Sequence, residues 1–233
     1  MQKTDYLTGF LSKETIHIAL DKLMAESNID NKPFTVLLLD MDHFKTYNEK
    51  YGHLEGDNML KYFSGTLRAG LETEQTLIFR FGGDEFIIVF PEKGARDVYR
   101  IACNMIKIFR KRPFLLRGHL YKMLFSAGIA TYPADGRKIE EVIHKADKAM
   151  YFSKTHGRAR VTIYSHVLWK TLARTISFAV IASLAILLYL DQVFHNDRVM
   201  GWLKKKIGKI GITLVVPTDK PGEKRSIDLT IIK

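Results

Sequence analysis

The 233-residue chain has a single cysteine, Cys103, set in the apolar helical run IACNMIKIF. One thiol excludes a disulfide framework and a thiolate metal cluster, and its apolar setting marks it as core. No secretory leader is expected, because MQKTDYLTGF is polar and passes directly into folded-looking sequence. Zinc-finger, helix-turn-helix and aromatic-basic RNA signatures are missing too, so the net charge of +11 is not read as a nucleic-acid footprint. Anionic lipid or phosphorylated ligands remain as partners for that surplus. The charge is uneven: residues 1–165 carry 25 Lys and Arg against 20 Asp and Glu, whereas residues 166–233 carry 11 against 5.

What is present is an ordinary globular balance, 46% hydrophobic and 26% charged, enough for one domain with an appendage. A helix is predicted over Lys13 to Ser27, with Ser12 as cap and Ile16, Leu20, Leu23 and Met24 on one face. Thr35 to Leu39 is a continuous apolar run suited to a central strand, and it ends in Asp40-Met41-Asp42. Helical sequence follows, broken near Tyr51-Gly52 and resuming from Glu55 to Leu71. Leu77 to Phe81 and Phe86 to Phe90 flank Gly82-Gly83-Asp84-Glu85 and predict a hairpin. A helix over Ala95 to Arg112, a strand over Leu120 to Ala130, a helix over Ile139 to Lys154 and a strand over Arg160 to Tyr164 complete the pattern.

The order, strands alternating with helices around a hairpin, predicts an α/β sandwich: an antiparallel-containing sheet with helices on both faces, close to the split βαβ arrangement. In that topology the end of the first long strand lies beside the hairpin. Asp40 and Asp42 then face Asp84 and Glu85, and adjacent carboxylates repel unless a cation lies among them. Oxygen donors of this kind suit Mg²⁺ or Mn²⁺. Such ions can bridge a triphosphate and activate a hydroxyl, and the glycines admit a phosphorylated ligand close to the backbone.

Five segments in order carry a resemblance: DYLTGFLSKETI at 5–16, DMDHFKTYNEKYGHLEGDNML at 40–60, RFGGDEF at 80–86, SAGIATYPADG at 126–136 and ADKAMYFSKTHGRARV at 146–161. Together they resemble the GGDEF-domain diguanylate cyclases, which join two GTP molecules into cyclic di-GMP. The resemblance spans about residues 4 to 165 and implies a palm-like nucleotide-cyclase fold. It implies that Asp40, the Met41 carbonyl, Asp84 and Glu85 hold two Mg²⁺ or Mn²⁺ ions, with Asp84 and Glu85 catalytic. It implies guanine recognition by Asn48 and Asp57, with His53 in the same segment. Lys45, Lys154 and Arg158 are implied as phosphate clamps, helped by the backbone amides around His43, Phe44 and Lys45. It also implies a homodimer, because each domain holds one GTP. The duller alternatives are a helix-neutralising Asp57, a loop-bonding His53, and Lys154 and Arg158 complementing a helix dipole. Asp42 reads as structural.

Two departures stand out. The family's common inhibitory Arg-x-x-Asp is replaced by Thr73-Glu74-Gln75-Thr76, so product inhibition through that motif is not expected. The sequence also starts almost at the catalytic segment, so regulation in cis is expected behind it. There, 16 uncharged residues lie between Arg174 and Asp191. A membrane span is expected over 166–195, with a buried or dimerising helix as the alternative, and a small hairpin from Ile210 to Val216 and Ser226 to Ile232. The sequence reading is thus a cyclase tethered to the inner membrane with its catalytic domain in the cytoplasm. The rival is a catalytically silent module that binds GTP or cyclic di-GMP.

Overall fold

The structure is a computed structural model and describes residues 3–194, 201, 205, 214–217 and 224–227. In chain order the elements are β1 (Leu11–Ser12), a 3₁₀ turn, α1 (Ile16–Asp30), β2 (Phe34–Met41), α2 (Phe44–Tyr51), α3 (His53–Gly70), β3 (Leu77–Gly82) and β4 (Glu85–Pro91). There follow α4 (Ala95–Lys111), β5 (Phe114–Leu116), β6 (His119–Tyr121), β7 (Phe125–Tyr132), α5 (Ile139–Thr155), β8 (Val161–Ile163), α6 (Tyr164–Phe194), β9 (Leu214–Pro217) and β10 (Lys224–Ile227). Met1–Thr171 and Leu172–Lys233 are separate compact units.

β2 organises the first unit. All eight of its residues are buried, as expected of an apolar run covered on both faces. It pairs antiparallel with β4 on one side and β7 on the other, within a six-stranded sheet ordered β1-β3-β4-β2-β7-β8. Successive β2 side chains alternate between two cores. Leu37, Leu39 and Met41 join Phe63, Met105 and Phe109 from α3 and α4, whereas Val36 and Leu38 join Leu20, Val142 and Ala149 from α1 and α5. The sheet is therefore sandwiched, with helices on both faces, in agreement with the fold read from the sequence.

β7 and α5 approach unusually closely. A Cβ placed on Gly128 would lie 2.0 Å from the Ala146 carbonyl oxygen and 2.2 Å from the Met150 amide nitrogen. Facing it, α5 presents the small buried residues Ala146, Ala149 and Ser153. Ser153 Oγ donates to the Ala127 carbonyl at 2.8 Å and lies 2.7 Å from Thr162 Oγ1, tying α5 to β7 and β8.

Two expectations are corrected. The strand expected over Leu120 to Ala130 is split: β6 ends at Tyr121 and β7 begins at Phe125, with β5 and β6 forming a small hairpin of their own. The membrane span expected over 166–195 is not supported. α6 is a 31-residue helix, but among the described residues no helix is long and apolar enough to cross a membrane. The 16 uncharged residues from Thr175 to Leu190 rise only about 24 Å as a helix, short of the ~30 Å hydrocarbon core. In the second unit, β9 and β10 pair antiparallel, closer to the PTDKPGEK turn than the strands expected there. Residues 210–213 and 228–232 of that expectation lie outside the described residues.

Candidate active site

The antiparallel register of β2 and β4 sets Asp40 directly opposite Glu85. Asp84 precedes Glu85 at the hairpin tip, and its carbonyl accepts from the Met41 amide at 3.2 Å. Three carboxylates from two distant segments thus meet at one end of the sheet. A third element joins them: Lys154, in the last turn of α5, places Nζ 2.7 Å from Asp40 Oδ2.

Electrostatics at this end favour protonation over charge. Burial pushes the Asp40 carboxyl up, Asp84 and Glu85 add repulsion, and the Lys154 ammonium offsets only part, leaving it at about 6. Burial also raises Asp84, against its own backbone hydrogen bond and the cations Lys154 and Arg80. Glu85 is raised by burial, with Lys154 opposing and Asp84 and Asp147 reinforcing. The cluster is short of positive charge. Among the described residues, no three His, Cys, Asp or Glu side chains are gathered so as to chelate one ion. A donor set of one or two carboxylates completed by backbone, solvent or phosphate oxygens is how Mg²⁺ is ordinarily held, so the residues fit a hard divalent cation that arrives with a phosphorylated ligand.

The hairpin tip is braced from behind. Arg80 donates through Nε (3.0 Å) and Nη2 (2.8 Å) to the Gly83 carbonyl, while its Nη1 reaches both Asp5 oxygens at 3.2 Å. Gly83 has φ +39°, a conformation glycine adopts at little cost. Asp5 in turn accepts from the Thr8 amide and hydroxyl at 2.8 and 2.7 Å. Burial pushes Asp5 up, but the Thr8 hydrogen bonds and the Arg80 guanidinium outweigh it and hold the carboxyl below its usual range. Sequence reading assigned neither residue. Both lie inside the quoted blocks DYLTGF and RFGGDEF, but a salt bridge spanning 75 positions has no local signature.

The segment after β2 forms the other wall. His43 takes a left-handed conformation, φ 65°, and turns the chain into α2, whose first amides have no partner within the helix. Such a helix start attracts anions. Phe44 contributes to this only through its backbone, because its side chain is in the core with Tyr47. Lys45 is at the surface, 3.9 Å from Glu49. Asn48 Oδ1 is buried without a hydrogen-bond partner, an unmet acceptor of the kind a ligand satisfies. Its amide packs on α3 so tightly that a Cβ on Gly56 would fall 1.8 Å from Oδ1. That places Asn48 beside the turn carrying Asp57, which is half-buried, while His53 opens α3 and is exposed.

Asp42 does not join the carboxylate cluster. It accepts from Ser126 Oγ at 2.7 Å and from the Ala159 amide at 2.9 Å, anchoring the loop after α5 to the end of β2. Arg158, in that loop, is exposed and lines a separate cleft with Arg110 and Arg160.

With this geometry in place, comparison with known proteins is decisive. Residues 2–160 match the family model described as diguanylate cyclase, GGDEF domain. The chain belongs to the GGDEF family. The bifunctional diguanylate cyclase/cyclic di-GMP phosphodiesterase MucR of Pseudomonas aeruginosa is 33% identical over 154 residues, 66% of this chain and 22% of MucR. Diguanylate cyclase DgcP of the same organism is 32% identical over 160 residues, 69% of this chain and 24% of DgcP. The aligned stretch thus spans under a quarter of either relative. Among solved structures, the GGDEF domain of DgcB from Caulobacter crescentus, in complex with c-di-GMP, superposes with a TM-score of 0.64 at 28% identity. That match covers 70% of this chain and 95% of the DgcB domain. The GGDEF fold of this chain thus accounts for the sheet order and for the position of the Gly82-Gly83-Asp84-Glu85 turn beside Asp40.

Proposed function

We propose that the GGDEF domain is a metal-dependent diguanylate cyclase, converting two GTP into cyclic di-GMP and two pyrophosphates. The observation carrying this reading is the register that pairs Asp40 with Glu85, with Asp84 adjacent and the three carboxylates short of cation. Asp40, Asp84 and the Met41 carbonyl are the proposed ligands of Mg²⁺ or Mn²⁺, two ions per site, with Glu85 assisting. When bound, the ions neutralise triphosphate charge and acidify a 3′-hydroxyl.

The chain's own groups do the rest. Asn48 and Asp57 read the guanine edge, Asp57 accepting from N1–H and N2–H₂. The α2 amides and Lys45 hold terminal phosphates, whereas Arg158, expected with them, lines a separate cleft. Lys154, on Asp40 in this structure, is the natural counter-charge to exchange onto phosphate oxygens. Glu85, its carboxyl raised by burial, receives the proton as the 3′-oxygen bonds to the α-phosphorus and the α–β phosphoanhydride breaks. Each domain holds one GTP, so the reaction needs two copies face to face, and GTP as substrate places the domain in the cytoplasm.

Incubating the full chain with Mg²⁺ and GTP is expected to yield cyclic di-GMP and pyrophosphate in a 1:2 ratio. Asp84→Asn is expected to lower the rate by about 10³-fold or more. GTP binding without product from wild-type dimer would identify a silent nucleotide-binding module instead.

A further inference from the structure

A second basic feature lies away from the carboxylates. A cleft of about 530 Å³ opens between α4, the loop after α5 and the first turn of α6. Arg110, Arg158, Arg160 and His166 supply its charge, and Tyr99 and Phe152 supply aromatic surface. No Asp or Glu is among its lining residues, whereas elsewhere Arg80 and Arg100 face Asp5 and Asp97 at close range. Three arginines that line one cleft with no carboxylate among them leave their charge to be met by an anion.

The cleft is built rather than incidental. Arg158 and Ala159 both have positive φ, 56° and 49°, a conformation costly for residues other than glycine. The bend is held by the Arg158 amide donating to the Ser153 carbonyl at 3.1 Å and by the Ala159 amide donating to Asp42. Arg160 lies against Gly157, where a Cβ would come within 3.4 Å of its Nη2. The turn therefore places Arg158 and Arg160 along the same cleft as Arg110 of α4.

We infer that this cleft is an oligophosphate-binding site distinct from the carboxylate cluster. Forked guanidiniums match phosphate oxygens in pairs, and several of them select a ligand with more than one phosphate over a single anion. The source is free pyrophosphate or the diphosphate of a nucleotide whose base lies on Tyr99 and Phe152. Because the loop is anchored on Asp42, two residues from Asp40, an occupant bears on the end of β2.

Calorimetric titration of the full chain with pyrophosphate, and separately with ADP, tests this without turnover. Arg110→Ala and Arg160→Ala are expected to weaken binding about tenfold each. Asp84→Asn is expected to leave it unchanged, and all three variants should keep the wild-type circular dichroism spectrum. Tighter binding of pyrophosphate identifies the free anion as ligand; tighter binding of ADP identifies a nucleotide. The inference is overturned if neither binds at millimolar concentration, or if the Arg110→Ala/Arg160→Ala double variant binds as wild type does. Loss of binding in Asp84→Asn alone would also overturn it, by assigning the anion to the catalytic end.

Discussion

Gly128→Ala is expected to destabilise the catalytic unit by about 3 kcal/mol or more, lowering Tm by about 10 °C. The added methyl would sit 2.0 Å from the Ala146 carbonyl and 2.2 Å from the Met150 amide, both backbone atoms of α5. A flexible side chain could swing away; a helix backbone cannot, so α5 must lift off the sheet. Lifting it breaks the Ser153 bonds to Ala127 and Thr162 and moves Lys154 off Asp40. Activity should therefore fall at temperatures where the protein is still folded. Gly65→Ala is the matched control. It lies exposed within α3 with no atom within 4 Å of its Cβ position, and is expected to be neutral or slightly stabilising through helix propensity. Thermal melts followed by circular dichroism compare the two directly. Equal melting temperatures would show that β7 and α5 are not in such close contact.

Asp40→Asn is expected to abolish cyclisation while raising stability in metal-free buffer. The Asp40 carboxyl is raised from 3.8 to about 6, so the folded state prefers it neutral. Below pH ~4 it is protonated in both folded and unfolded chains and costs nothing. Between about 4 and 6 the folded state retains a proton that the unfolded state has released, and stability falls as pH rises. Above about 6 the full cost of the buried anion is present. Asparagine removes that cost, and the Lys154 left behind is partly solvated, so the expected gain at pH 7.5 is about 1–2 kcal/mol. Denaturant melts from pH 4 to 8 should show a flatter pH dependence for the variant than for wild type. A variant less stable than wild type at every pH would mean that the Lys154 ion pair outweighs desolvation.

Much of the fold was legible because its signals are local. The apolar run at β2, the Gly-rich turn between β3 and β4, and the helix break at Gly52, where φ is 87°, each declare themselves within a few residues. The β5–β6 hairpin did not, because strands of three residues around Arg117-Gly118 are too short to show alternation. α6 misled for a related reason: its uncharged run exceeds that of ordinary surface helices yet falls short of the bilayer. At the site, the meeting of Asp40 with Glu85 followed from topology once the strands were identified. Lys154 did not follow. It was expected on phosphate, and in this structure its ammonium lies on Asp40, the buried member of the three neighbouring carboxylates. Phe44 was expected only through its backbone amide, and its side chain packs in the core. The Asp5–Arg80–Gly83 brace and the role of Gly56 beneath Asn48 depend on contacts between distant segments that no spacing rule reports.

The central claim is that side chains from β2 and the β3–β4 turn together retain a divalent cation beside a bound nucleotide. Electron paramagnetic resonance of free Mn²⁺ tests it most directly, titrating the full chain in the presence of 3′-deoxy-GTP, which lacks the attacking hydroxyl. Wild type is expected to take up Mn²⁺ only with nucleotide present, and Asp84→Asn to bind it at least about tenfold more weakly. Uptake by Asp84→Asn equal to that of wild type would contradict the account.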